Sequence, residues 1–335
     1  MVCSSALAWS RRGVAGALLV WVLTAISFAS WADDGTLSLV IENDSISHTD
    51  RYYTHGVRIG WLSGENAERA CGDRLMKALP FMACASDARW QFDLTQVAFT
   101  PLDLSRVNPD PADRPYAGWL FGSVGAVGRI NGTLDQLTLS LGVVGPASQG
   151  EAAQRLIHDI GGIRGPQGWE RQLRNEFTAQ TIYQRSVRLW RIESAAGYGF
   201  DAIPHYGAAL GNVYVYANTG ASLRFGKRLP DDFGPPRIQP GVPGSDYTKS
   251  DGKFGWYVFA GADGRAVGHN LFLDGNSFRD GPSVERRVWV ADVQAGLMID
   301  WDPVRIGYTH VWRSREFRGQ VTPQAFGAFS IAYRF

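Results

Sequence analysis

Asn43 and Asp44 stand side by side where the run Leu37-Ser38-Leu39-Val40-Ile41 should end as a strand. An amide beside a carboxylate at a strand end can bind a metal ion, orient a base or hold an oxyanion. A polar loop, Ser45 to Tyr52, separates the pair from Tyr53-Thr54-His55-Gly56, which opens a second strand ending at Ser63. A second constellation lies further on. Glu151, Gln154, Arg155 and His158 recur at spacings of three and four, one face of a helix. Ser148 followed by Glu151 reads as a capping box, and Gly161-Gly162 ends the run. Ala152, Ala153, Leu156, Ile157 and Ile160 supply the apolar side. His158 therefore falls in the last turn, where an imidazole titrating near neutrality can serve as a general base. Of the other histidines, His48 is placed in the first loop and His55 at a strand start. His205, His269 and His310 read as wall positions, and the residues alone give none of these five a chemical role.

The elements that must carry these groups are strands. Phe329, Ile331, Tyr333 and Phe335 alternate with Ser330, Ala332 and Arg334, as in the closing strand of an outer-membrane barrel. Residues 1–32 are expected to be a secretory signal: Arg11 and Arg12, then the apolar Gly13 to Ser27, then Ser30-Trp31-Ala32 as a cleavage site. Residues 33–335 form one domain. Charged residues make up only 19% of the chain, against 39 Gly, 12 Trp, 12 Tyr and 17 Phe, a balance that suits tilted strands with aromatic girdles. A net charge of +1 gives no basis for binding nucleic acid. Cys71 and Cys84 remain after the signal and are expected to pair as a disulfide in an oxidising compartment.

Period-two segments occur near 36–43, 54–63, 89–100, 116–129, 133–144, 176–190, 193–209, 213–226, 253–262, 264–273, 285–299, 304–315 and 323–335. A single-chain bacterial barrel needs an even number, so one pair must merge across Gly211-Asn212 or Asp263-Gly264. The expectation is all-β: a twelve-stranded antiparallel transmembrane barrel with one short extracellular loop helix. Asn131-Gly132 and Asp300-Trp301-Asp302-Pro303 are tight turns on the periplasmic side. Loops 44–53, 101–115, 145–175, 227–252 and 274–284 are then expected to face outward.

Several segments, taken in order, resemble the lipid A 3'-O-deacylases of Gram-negative outer membranes. They are Glu42-Asn43-Asp44, Asp50 to Gly56, Asp113-Arg114-Pro115-Tyr116-Ala117-Gly118, Gly145-Pro146 with Gln154 and His158, Pro166-Gln167-Gly168-Trp169, and Leu210-Gly211-Asn212. The resemblance implies a calcium-dependent hydrolase that removes the 3'-linked acyloxyacyl group of lipid A, at a site between the barrel wall and a loop helix. It implies that His158 is the general base, that Asn43 and Asp44 are the paired residues of the first strand, and that Asp44 is a Ca2+ ligand. Ser63 matches a family hydroxyl residue. The family also places a Glu soon after the His, whereas here Asp159 follows and the next carboxylate is Glu170. The implied partners are lipopolysaccharide and the outer membrane, with the chain acting as a monomer.

Two other readings compete. An outer-membrane phospholipase would need a serine nucleophile paired with a histidine, for instance Ser63 with His158, yet no Gly-x-Ser-x-Gly elbow occurs. A non-enzymatic, porin-like barrel would make Asn43, Asp44 and His158 mere rim residues.

Overall fold

The computed structural model describes residues 35–47, 51–64, 87–162, 165–249 and 252–335. The expected signal, His48 and the Cys71–Cys84 disulfide lie outside the described residues. Twelve strands form the wall: β1 (Gly35–Asn43), β2 (Tyr52–Ser63), β3 (Asp87–Thr100), β4 (Ala117–Ile130), β5 (Thr133–Val144) and β6 (Glu176–Val187, resuming as Trp190–Glu193). They continue as β7 (Tyr198–Gly211), β8 (Tyr214–Lys227), β9 (Gly255–Asn270), β10 (Trp289–Trp301), β11 (Val304–Arg313) and β12 (Gln324–Arg334). Each pairs antiparallel with its sequence neighbours. The barrel closes where β1 meets β12, with Thr36 opposite Arg334 and Asn43 opposite Gly327.

Polarity is inverted relative to a water-soluble core. Outward positions such as Phe177 and Leu210 are 68% and 71% exposed. Inward positions carry buried ion pairs instead: Arg313 grips Asp292 through Nε and Nη2 at 2.9 and 2.8 Å, and Arg265 adds a third bond at 2.9 Å. An apolar exterior around a polar, charge-paired interior is what a bilayer demands of a barrel.

The merge falls across Asp263-Gly264. Asp263 pairs without interruption with Gly220 on one side and Asp292 on the other. Gly211-Asn212 is a true turn between β7 and β8. This choice changes the end at which the stretch between β8 and β9 lies, while loop 274–284 stays at the outer end and the Asp300–Pro303 turn at the inner one. The stretch between β8 and β9, expected to face outward, leaves the end at which Gly35 meets Phe335 and folds back into the lumen. Its side chains are buried there: Phe233, Ile238, Val242 and Tyr247 are each at most 6% exposed. Asp232 is held by Arg224 and Arg305, Asp246 by Arg58 at 2.6 Å, and Pro240 O accepts from Arg313 Nη2 at 2.8 Å. An occupied lumen is not an open channel, which removes the ground for the porin-like reading.

Asn131-Gly132 forms the expected turn, with both φ angles positive at 47° and 82°. Among the described residues two α-helices leave the wall: α1 (Gly150–Gly161) in the loop between β5 and β6, and a single turn, α2 (Leu271–Asp274), which the sequence reading missed. Phe272 of α2 caps the lumen's outer end, its ring 4.3 Å from that of Phe99.

Candidate active site

The site begins as a row across the outer wall. Asn43 of β1 is the cross-strand partner of His55 of β2. His55 faces Ala98 of β3 across a bulge at Thr54, and Ala98 faces Gly118 of β4. Side chains alternate along a strand, so Glu42, buried in the lumen with Arg237, fixes Asn43 on the outer face. Beyond Asn43 the strand ends in a 3-10 turn, Asp44–Ser47, closed by its own leading residues. Asn43 Oδ1 accepts the Ser45 N–H at 2.7 Å, and Asp44 Oδ2 accepts the Arg51 N–H.

Ala98 and Gly118 are the small end of that row, and α1 settles on them. A Cβ built on Gly118 would meet Ser148 Oγ at 2.3 Å and the Gly150 Cα at 3.0 Å, so wall and helix touch through backbone. Gln96 Nε2 donates to Ser148 O at 2.6 Å. From the other side, Trp169 packs at a tilt against Tyr116 (5.0 Å between rings) and donates Nε1–H to Gln154 Oε1 at 2.7 Å. The segments Tyr116-Ala117-Gly118 and Gly168-Trp169 thus act as cradle and buttress for the helix.

The polar face of the helix is the one that meets the wall. Gln154 and His158, one turn apart, are buried against the wall, whereas Leu156 and Ile157 point away and are exposed. Outside a barrel the surrounding medium is acyl chain, so the apolar face has no reason to turn inward. The capping box is also absent. The N-cap is Gln149 in a left-handed conformation, Ser148 Oγ donates to Gly145 O, and Glu151 pairs with Arg155. The C-terminal end is as expected: Gly162 at φ 64° donates its N–H to His158 O.

His158, 4% exposed, is thereby buried on the face of α1 that meets β3 and β4, within electrostatic reach of His55 on the neighbouring β2. His55 is 1% exposed, and neither of its ring nitrogens has a hydrogen-bond partner. The sequence reading gave His55 no role; its pairing with Asn43 and its electrostatic coupling to His158 put it in the site. Ser63 does not belong there. It ends β2 eight residues beyond His55, roughly 26 Å along the strand, and its Oγ accepts the Trp90 N–H. A Ser63–His158 nucleophile pair is therefore ruled out by geometry. Asp159 and Glu170 are exposed, off the buried face that carries His158. Among the described residues no group of three or more His, Cys, Asp or Glu side chains converges as a metal cluster. The hard-oxygen donors at this place are Asp44 and Asn43, a partial set whose chemistry suits calcium.

Gly118→Val should displace α1 while the barrel, paired through backbone, still folds. We expect heat-modifiable gel migration to persist and any activity of the wall site to fall by at least about tenfold.

A closed barrel with an apolar exterior and a helix clamped to its outer wall defines an outer-membrane protein whose polar site faces the lipid. The family profile of the outer membrane protein LpxR matches residues 17–335, and the chain belongs to that family. Its fold is similar to that of LpxR from Salmonella typhimurium, at 21% identity over 90% of this chain and 100% of that one, with a TM-score of 0.75. The β domain of the Bordetella autotransporter BrkA matches more loosely, at 12% identity over 90% and 97% of the two chains and a TM-score of 0.41. A comparison with curated proteins returned no match.

Proposed function

We propose that this protein is a calcium-dependent hydrolase that removes the 3'-linked acyloxyacyl group from lipid A in the outer leaflet. The observation that carries the reading is the burial of His158 against the lipid-facing wall, within electrostatic reach of His55, the cross-strand partner of Asn43. A base placed there can reach an ester whose acyl chains never leave the leaflet. A soluble substrate would have no reason to be met on that face.

In the proposed mechanism His158 accepts a proton from a water molecule as its oxygen attacks the ester carbonyl. The tetrahedral intermediate then expels the sugar 3'-oxygen, which takes the proton back from the imidazolium. The products are the free acyloxyacyl acid and the sugar hydroxyl. Asn43 and His55, adjacent on the wall, can donate to the carbonyl oxygen as negative charge gathers there. Asp44 and Asn43 would hold calcium together with substrate and water oxygens. The bound cation supplies positive charge to the oxyanion.

Mass spectrometry of lipid A from Gram-negative cells with and without the protein tests this function. The expected result is a lipid A species lighter by one acyloxyacyl unit only when the protein is present. Identical lipid A profiles would refute it.

A further inference from the structure

Glu42 belongs to the same sequence block as Asn43 and Asp44 but takes no part in the outer site, because it points into the lumen. Its partner there is the internal loop between β8 and β9. Arg237 Nε donates to Glu42 Oε1 at 2.5 Å, and the Ile238 backbone N–H donates to the same oxygen at 3.1 Å. Arg237 is itself fixed: Nη1 donates to Gln294 Oε1 at 3.0 Å, and the guanidinium lies 5.4 Å from the Phe326 ring of β12. Both side chains of the Glu42–Arg237 pair are only 1% exposed.

We propose that the internal loop braces the outer site: Arg237, gripping Glu42 from inside the barrel, fixes the strand end that presents Asn43 and Asp44 outside. The physical reason is the abrupt end of β1. Asn43 is its last paired residue, and the chain then leaves the wall in a one-turn 3-10 segment. Strand ends fray when only backbone pairing holds them. Two donors on a carboxylate, one residue before the end, remove that freedom from the side that substrate never reaches. The loop is anchored at other levels of the lumen, through Asp232 to Arg224 and Arg305 and through Asp246 to Arg58, so it can bear on Glu42. Its Pro235-Pro236 and Pro240 flank Arg237 and Ile238, limiting backbone freedom around the gripping residues.

Arg237 and Glu42 are positioning residues in this scheme, and the kinetic part of the test rests on the hydrolase reading above. Arg237→Gln, in folded barrels selected by heat-modifiable migration, should lower kcat for lipid A deacylation between about 10- and 100-fold, with little change in KM. Amide exchange at residues 41–44 should accelerate at least about tenfold. The double variant Glu42→Gln with Arg237→Gln should recover folded yield, because no buried charge is left alone, but keep the lowered kcat and the faster exchange, because the grip is still absent; full recovery of kcat would overturn the brace. A merely structural ion pair would lower folded yield in Arg237→Gln but leave kcat per folded molecule and exchange at 41–44 at the wild-type values; that result overturns the brace. If the wild-type protein releases no acyl group, the hydrolase reading fails, and exchange at 41–44 still decides the brace by itself.

Discussion

Replacing His158 with Gln should leave a folded barrel that deacylates lipid A about two to four orders of magnitude more slowly. The amide fills the same space between α1 and the wall, so helix docking through Gly118, Gly150 and Trp169 is unaffected. What disappears is the proton acceptor. His55 makes a useful comparison because it lies in the same buried row. His55→Gln keeps a donor for the carbonyl oxygen, so its loss should be much smaller. Rates of acyl release by the two variants in detergent micelles give the check. Equal losses would mean that the two imidazoles share the base role, and full activity in His158→Gln would remove His158 from the mechanism.

Asp44→Ala carries the second large effect. Its carboxylate is buried and closes the turn after β1 by accepting the Arg51 N–H. In the proposed mechanism it also supplies the hardest oxygen for calcium. The variant should lose at least about a hundredfold in rate, and what remains should respond weakly to added calcium. Asp44→Asn separates the two roles. The amide oxygen can still accept from Arg51, so the turn survives, while the charge that favours a divalent cation is gone. Calcium titration of activity for both variants is the measurement. An Asp44→Asn enzyme with the wild-type calcium response would exclude Asp44 as a ligand.

Most of the wall was legible because alternation survives inversion. A strand with one polar and one apolar face has period two whichever face meets lipid. Asn131-Gly132 was legible because its positive φ angles need such residues. The misplaced Pro/Gly-rich stretch has one cause, the assumption that polar means solvent. Asp263-Gly264 reads as a turn, yet Asp263 faces the lumen, where His205, Asn218 and Arg265 satisfy it. Reading through it sends the Pro/Gly-rich stretch to the opposite end of the barrel. From there it enters the lumen, a place as hospitable to Arg237 and Asp246 as water is. Ser63 was a failure of scale: a strand of twelve residues puts its ends at opposite faces of the membrane.

For the site, residue types carried Asn43, Asp44 and His158, but not His55. A histidine opening a strand is unremarkable until register is known. The pairing of Asn43 with His55 depends on the length of the loop between β1 and β2, and that of His55 with Ala98 on the bulge at Thr54. The signal was present in the spacing, and only the pairing made it readable.

The central claim is that the wall site cleaves the 3'-ester of lipid A. It is tested most directly by incubating the purified, folded protein with lipid A and calcium in detergent micelles and fragmenting the product by mass spectrometry. The account predicts loss of the acyloxyacyl group from the 3'-position alone, abolished by a chelator and by His158→Gln. Unchanged lipid A, cleavage at another position, or release of fatty acid from phospholipid in its place would contradict it.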